Sequence, residues 1–346
     1  MPDQNIAKED IAKRVDLGLR DLWYPVAPSW SLGANPLGMT RLGEDIVLWR
    51  DRDGQIHCLE DRCPHRGARL SLGWNLNDRI ACWYHGVQMN PAGEIADVPA
   101  NNTAALVGRK CLRTYRAVEK YDAIWVYFTN DEMHAAPEIE LPNEMTDSAY
   151  SSFLCVAKWN CCHTYAIENV ADPMHGAYLH SASHSMARGS KSAEMVLTKT
   201  ENGFRFEKIN QEGVNFDWVE FGMTTTPWLR LEIPYGPGAS PGGNFGITGV
   251  VTPVDATHCV VFFWRIRKVE EWQRGLWRFM YRARLEKLHW DVLEQDRIIL
   301  ENLTPNARNR EMLYKHDRGL GYLRKVLQQK AKQQLATERA AAQAAE

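Results

Sequence analysis

The chain has 346 residues, a formal net charge of −2, 45% apolar residues and 24% charged residues. That length suffices for two domains with cores of their own, and the composition is that of a globular chain. The near-neutral balance gives no electrostatic reason for a nucleic acid or an acidic membrane as partner, and no apolar run approaches the ~20 residues that cross a bilayer. Met1 to Asp16 is polar and mixed in charge, and reads as neither a signal nor a transit peptide. Asp21 to Ser31 mixes aromatic and β-type residues with prolines and predicts an edge strand. Ile46 to Arg50 and Gln55 to Leu59 read as a hairpin closed by Asp51-Arg52-Asp53-Gly54. A further strand is predicted over Tyr121 to Phe128, and the acidic, Pro-containing stretch Pro137 to Pro142 reads as a linker.

Between these strands lies Cys63-Pro64-His65, then sixteen residues, then Cys82-Trp83-Tyr84-His85. Two thiolates and two imidazoles in two compact pairs can hold one four-coordinate metal or a two-metal cluster. A structural Cys2His2 zinc site usually sets two ligands of one kind together, whereas each pair here mixes Cys and His. In the cluster reading each pair occupies its own loop, both Cys bind one iron and both His the other, and neutral His raises the potential. Gly67 and Gly86 follow where tight turns need φ > 0, and Tyr84 is placed to aim its hydroxyl at a cluster sulfur. The pattern resembles that of Rieske proteins, with Trp83 and Val87 standing where that family commonly has Pro and Trp.

The second half reads differently. A strand over Ser151 to Trp159 precedes a helix from Cys162 on. Strands are predicted over Gly203 to Lys208, Phe216 to Met223, Trp228 to Ile233, Gly246 to Val254 and His258 to Arg267, with a Gly/Pro-rich loop from Pro234 to Gly243. Glu270 to about Leu303 has a long helical pattern, and the Ala/Gln/Lys-rich tail after Lys325 is compatible with another helix. The fold class expected is α+β: an antiparallel β domain over 20–140, then helices on an antiparallel sheet over 141–346. Eight Cys in a chain of this size do not make a disulfide scaffold, and adjacent Cys161-Cys162 read as small buried hydrophobes; a reducing cytoplasm fits.

Asn169, Asp172, His175 and His180 stand in the spacing N-x2-D-x2-H-x4-H. Five helical residues turn through about 140°, so a regular helix would not bring both His to one metal. Pro173 and Gly176 lie where a distortion is easy. Two imidazoles and a carboxylate make a facial triad that leaves positions open on Fe(II). In the long helix, Leu285, Leu288, Val292, Ile299 and Leu303 form an apolar stripe whose missing step is Asp296. A carboxylate on a core face needs a cation, which makes Asp296 the expected third ligand, with Asp291 in reserve. Asp172 suits a bridging role better, accepting from a ligand His on one side and a cluster His on the other.

Together the two stretches resemble the α subunit of Rieske non-heme iron oxygenases, in the α-only branch with phthalate dioxygenases, vanillate demethylases and dicamba-type monooxygenases. Gly249-Val250-Val251-Thr252-Pro253, Phe262-Phe263-Trp264-Arg265 and Glu294-Gln295-Asp296 carry the resemblance beyond the ligands. It implies a [2Fe–2S] cluster on Cys63, His65, Cys82 and His85, a mononuclear Fe(II) on His175, His180 and Asp296, and catalytic roles for Asp172 and Asn169. It implies oxygenation of a small, aromatic substrate with O2, or oxidative O- or N-demethylation. It also implies a separate reductase, with or without a ferredoxin, and a homotrimer in which one subunit's cluster serves the next subunit's iron. Trp228, Phe221, Phe245 and Trp264 join Asn169 as expected pocket lining, and Arg188 and Arg230 are candidates to receive a substrate carboxylate. The rivals are a Rieske electron carrier without oxygenase chemistry and a zinc-stabilised binding module.

Overall fold

The computed structural model describes residues 6–100, 104–183, 191–210, 217–235 and 243–345. Arg188, Phe216 and the glycines from Gly236 to Gly242, which figured among the expectations above, lie outside them. The chain forms two units. One comprises Arg20–Glu138 with Thr252–Asp255; the other comprises Met1–Leu19, Ile139–Val251 and Ala256–Glu346.

The first unit is built on a six-stranded sheet in the order Leu22–Pro28, Ala123–Phe128, Thr114–Lys120, Ile56–Glu60, Glu44–Arg50 and Leu37–Arg41. The Pro-containing strand Leu22–Pro28 is indeed at the edge, where a missing N–H interrupts no central ladder, and its pairing shifts between Pro25 and Ala27. The strand expected from Tyr121 starts at Ala123, because Tyr121 and Asp122 take positive φ and form the turn before it. A second sheet of four short strands (Trp74–Asn75, Ile80–Ala81, Gln88–Met89, Ile95–Asp97) stands beside it. Val47, Trp49, Leu59, Leu70, Ile80, Met89 and Leu112 form one buried cluster that includes Cys63 and Cys82. Each apolar side chain buried there contributes roughly 1.5–3 kcal/mol, and Trp49 keeps its N–H satisfied by donating to the Asn77 carbonyl at 3.1 Å.

The second unit carries a seven-stranded sheet in the order Tyr150–Trp159, Cys259–Lys268, Gly243–Pro253, Pro227–Tyr235, Trp218–Met223, Gly203–Ile209 and Glu194–Lys199. The first two of these pair antiparallel along their whole length. Residues Cys259 to Arg267 are all buried, which marks a central strand covered on both faces. The helical stretch expected from Glu270 is broken up. It is a 3-10 turn, a helix Arg274–Met280, a π-helical turn Tyr281–Leu285 and a helix Glu286–Glu301. Its inward face holds His289, Leu293, Asp296 and Leu300, with Leu285, Leu288 and Val292 half-buried. Ile299 and Leu303, counted into the stripe from sequence, are 47% and 40% exposed, because the buried face passes through Leu300 and the helix ends at Glu301. Helix Lys8–Leu17, unforeseen in a polar N-terminal stretch, packs on the C-terminal helix Arg318–Ala345. Arg14 binds Glu338 at 2.7 and 2.8 Å, and Arg339 binds Asp10 at 2.8 Å.

Candidate metal centres

Cys63 to Ala68 and Cys82 to Val87 fold into two loops with the same backbone bonds. The Gly67 N–H donates to the Cys63 carbonyl and the Gly86 N–H to the Cys82 carbonyl, both at 2.9 Å. Cys63 N–H donates to Ala68 at 2.7 Å, and Cys82 N–H to Val87 at 2.8 Å. Gly67 and Gly86 have φ of +75° and +74°, a region an L side chain enters only at a cost of about 1–2 kcal/mol. Each loop thus turns a buried thiol and a more exposed imidazole the same way. The Nδ1 atoms of His65 and His85 face each other at 3.1 Å. Burial raises the Cys63 thiol to about 11, and Cys82 close by adds to it, so a bound metal is what would turn it into a thiolate. Two thiols inside and two imidazole Nδ1 atoms outside fit a cluster with Cys on one iron and His on the other. The Tyr84 hydroxyl, expected to point at a sulfur, instead accepts from Arg66 at 3.2 Å, and its ring packs on His85.

In the second unit, helix His163–Val170 ends at Ala171, and Pro173 lies in the turn before the short helix Gly176–Leu179. This break swings His175 and His180 toward each other. Their Nε2 atoms lie 3.4 and 3.2 Å from one oxygen, Oδ1 of Asp296, to which Asn169 Nδ2 also donates at 3.0 Å. One ligand atom from each of His175, His180 and Asp296 lies within 4.8 Å of the others. Asp296 is 7% exposed, and among the described residues its ion-pair partners are these two imidazoles alone. Burial pushes its carboxyl up, but the hydrogen bonds and charge of both His outweigh that and hold it well below the usual carboxylate range. Conversely, burial pushes His175 down, and Asp296, Asp172 and the Asp172 carbonyl together raise it above the ordinary imidazole value.

The other ring nitrogens are also fixed. His175 Nδ1 faces the Asp172 carbonyl at 2.6 Å and His180 Nδ1 faces Gln295 Oε1 at 2.8 Å. Assigned from these acceptors, each ring carries a proton on Nδ1, and Nε2, which bonds to Asp296, is the nitrogen that a bound cation would take over. Such a donor set, buried and facing one carboxylate, fits a divalent cation with open positions. Asp291 is exposed and bound by Lys287. The contact between Asp172 and His175 is made by the Asp172 main-chain carbonyl, not its carboxylate. The turn at Pro173 brings the ring back over that carbonyl, and Asp172 Oδ1 accepts from Met174 N–H at 2.7 Å.

A slot of about 70 Å³, as bounded by the described residues, opens on this group. His175, His180 and Asp296 face it with Phe245, Phe263 and Arg265. Asn169 and Phe245 line it as expected. Trp228, Phe221 and Trp264 do not; they are core side chains, 7%, 1% and 0% exposed. Arg230 is engaged by Glu144 at 2.7 Å and Glu220 at 2.8 Å and lines a different, polar cavity of about 400 Å³ that contains none of the three donors. Gln295 and Arg265 were missed as site residues. Gln295 sits off the apolar stripe, and Arg265 was read as part of the strand His258 to Arg267; both were named only within segments that carry the resemblance.

Residues 22–121 match the Rieske [2Fe-2S] domain, and residues 159–333 match the vanillate O-demethylase oxygenase C-terminal domain. The chain belongs to the Rieske non-heme iron oxygenases. Its cofactors are accordingly a Rieske [2Fe–2S] cluster and a mononuclear iron. The chain is 32% identical over 167 residues to the vanillate O-demethylase oxygenase subunit of a Pseudomonas species, covering 47% of this chain and 46% of the relative. It is 25% identical over 319 residues to the putative toluene-4-sulfonate monooxygenase system iron-sulfur subunit of Comamonas testosteroni, covering 82% and 87%. Among the first five relatives matched, the chain spans from 34% to 63% of their length. In fold it is similar to the oxygenase–ferredoxin complex of carbazole 1,9a-dioxygenase, with a TM-score of 0.72 at 20% identity, over 92% of this chain and 93% of that one. No helix among the described residues is long and apolar enough to cross a membrane.

Proposed function

We propose that this oxygenase is the terminal component of a multicomponent system. It would use O2, and electrons from a separate NAD(P)H-dependent reductase or a ferredoxin, to hydroxylate a small aromatic substrate. The observation that carries the reading is the convergence of His175, His180 and Asp296 within 4.8 Å at the end of an apolar slot. The cluster would supply electrons one at a time, and the iron would supply O2 activation. Residues 20–140 would house the cluster, held by Cys63, Cys82, His65 and His85, and residues 141–346 the iron. His175 and His180 would present Nε2, kept in that tautomer by the Asp172 carbonyl and Gln295. Asn169 would orient the Asp296 carboxylate by donating to Oδ1. The aromatic walls of Phe245 and Phe263 would hold the ring and exclude water. Asp172 would link the two centres across a head-to-tail homotrimer, beside His65 or His85 of the neighbouring protomer. All eight cysteines are free, which supports a reducing cytoplasm as the working compartment.

Oxidative demethylation is the second reading, favoured by the match of residues 159–333 to a demethylase oxygenase domain. One assay separates the two. The protein, a surrogate reductase and NADH are supplied with aromatic acids, aryl methyl ethers and N-methyl aromatics. Formaldehyde formed in step with NADH oxidation marks demethylation; a hydroxylated product without formaldehyde marks hydroxylation. No substrate-dependent O2 uptake from protein with both metals in place would reject both.

A further inference from the structure

We infer that Cys161 and Cys259 form a reversible dithiol–disulfide site whose oxidant is hydrogen peroxide. Cys259 opens the central strand Cys259–Lys268 and pairs in register with Trp159, the last residue of strand Tyr150–Trp159. The chain then bends, and Cys161 turns back onto Cys259, so that the two side chains hydrogen-bond to each other. Cys161 is 7% exposed, Cys259 is fully buried, and both are free. Neither belongs to the two ligand loops or to the three donors at His175, His180 and Asp296. Among the cysteines outside the ligand loops, Cys58, Cys111, Cys155 and Cys162 have thiols that burial raises. Cys161 alone moves down, because the hydrogen bond from Cys259 outweighs its own burial. The same bond keeps the proton on Cys259 and raises that thiol. One sulfur is therefore the nucleophile and the other its proton-bearing partner, the division of roles seen when a reactive thiol stands beside a resolving one.

In the first step the Cys161 thiolate attacks one oxygen of the peroxide. The O–O bond breaks, the leaving hydroxide takes up the thiol's proton as water, and Cys161 becomes a sulfenic acid. The Cys259 thiol then loses its proton and its sulfur attacks that of Cys161; the S–O bond breaks and a second water leaves. One peroxide is reduced to two waters, and two thiols are oxidised to one disulfide. Hydrogen peroxide is the two-electron reduction product of the O2 that an oxygenase handles, and it is small enough to reach a thiol next to the exposed Asn160. Bonding brings the sulfurs to about 2 Å, and the bend at Asn160 and Cys161, outside the strand ladder, can supply the movement. In a reducing compartment such a bond is transient and reports redox state rather than building the fold. It would close a loop of about 100 residues and fasten the entry to helix His163–Val170 onto the central strand. The Asn160 N–H already donates to Glu301 Oε1 at 2.8 Å, at the end of the helix that bears Asp296.

The test is peptide mapping by mass spectrometry, without reduction, of the iron-loaded, cluster-containing protein after brief exposure to equimolar hydrogen peroxide. The remaining thiols are blocked with N-ethylmaleimide in denaturant. The expected product is a peptide pair joined through Cys161 and Cys259, lighter by two hydrogens than its reduced parts and released by dithiothreitol. Cys58 and Cys155 should be recovered as blocked thiols. His175→Ala should give the same cross-link, since the thiols themselves react and not radicals made at the mononuclear iron. Cys259→Ser should abolish the cross-link and leave Cys161 as a sulfenic acid that dimedone traps. The oxidised wild type should melt at a higher temperature than the reduced, and Cys259→Ser should not respond. No cross-link, a cross-link from Cys161 to Cys162 instead, a cross-link absent from His175→Ala, or an unchanged melting temperature overturns the inference. Should Cys259→Ser misfold, the wild-type map and His175→Ala still decide.

Discussion

Gln295 shows how much a single side chain can matter while touching no metal. Its amide oxygen accepts from His180 Nδ1 at 2.8 Å, next door in sequence to the carboxylate that both imidazoles face. Losing that acceptor frees the ring to turn and to exchange tautomers, and such supporting bonds commonly set 10- to 100-fold in metal affinity. Gln295→Leu is therefore expected to weaken iron binding by about 10- to 100-fold, with the cluster spectrum untouched. Iron titration of the apo-protein checks this, and unchanged affinity would remove Gln295 from the account. Asn169 belongs to the same scale, since its amide donates to the very oxygen that His175 and His180 approach. The exposure of Trp83 (65%) and Tyr84 (55%) beside His85 is also decided here: neither is needed to bury the thiols, which lie beneath at 1%.

Among the elements, helix His163–Val170 leads into the turn and the short helix that carry both imidazoles, and it is anchored from behind. Glu168, 6% exposed, is gripped by Arg308 at 2.8 and 3.1 Å and by Arg324 at 2.8 and 2.9 Å. Breaking the pair takes the buried carboxylate from Arg308, while Arg324 keeps Glu311, so Glu168→Gln should lower the unfolding free energy by about 3 kcal/mol, the low end for a broken buried pair. Chemical denaturation measures it, and a loss under ~1 kcal/mol would mean that the pairs are screened by solvent. Much at this scale was legible from sequence. The ligand loops announce themselves because chemistry forces Cys, His and Gly into fixed spacing, and the break at Pro173 follows from the geometry of five residues on a helix. The carboxylate at 296 was findable because a charge on a core face has to be explained. What stayed hidden depends on distant partners. Lys8–Leu17 looks too polar to pack until Glu338 meets Arg14, and strand Glu194–Lys199 shows no strong alternation. The phase of Glu286–Glu301 is set by a buried His289 that no apolar count includes.

For the whole molecule, both ends of the chain belong to the unit that carries the mononuclear site, so its stability reports on their docking. His163, 5% exposed, makes a 2.6 Å bond between Nε2 and the Val15 carbonyl and fastens the N-terminal helix. Burial lowers its pKa from 6.5 to about 4, against the carbonyl, which favours the charged form. The folded state keeps His163 neutral, so its contribution is complete above the unfolded value near 6.5 and is lost as pH falls toward 4. The loss is on the order of 3 kcal/mol. The melting temperature should drop over that window, and less so in His163→Gln; equal drops would exclude this group as the cause. The central claim, two separate iron centres on one chain, is tested most directly by iron and acid-labile sulfide analysis of wild type beside His175→Ala. The account predicts about three irons and two sulfides per wild-type chain, and about two and two in the variant with its cluster absorbance intact. Zinc in place of iron in the wild type, or loss of iron and sulfide together in the variant, would contradict it.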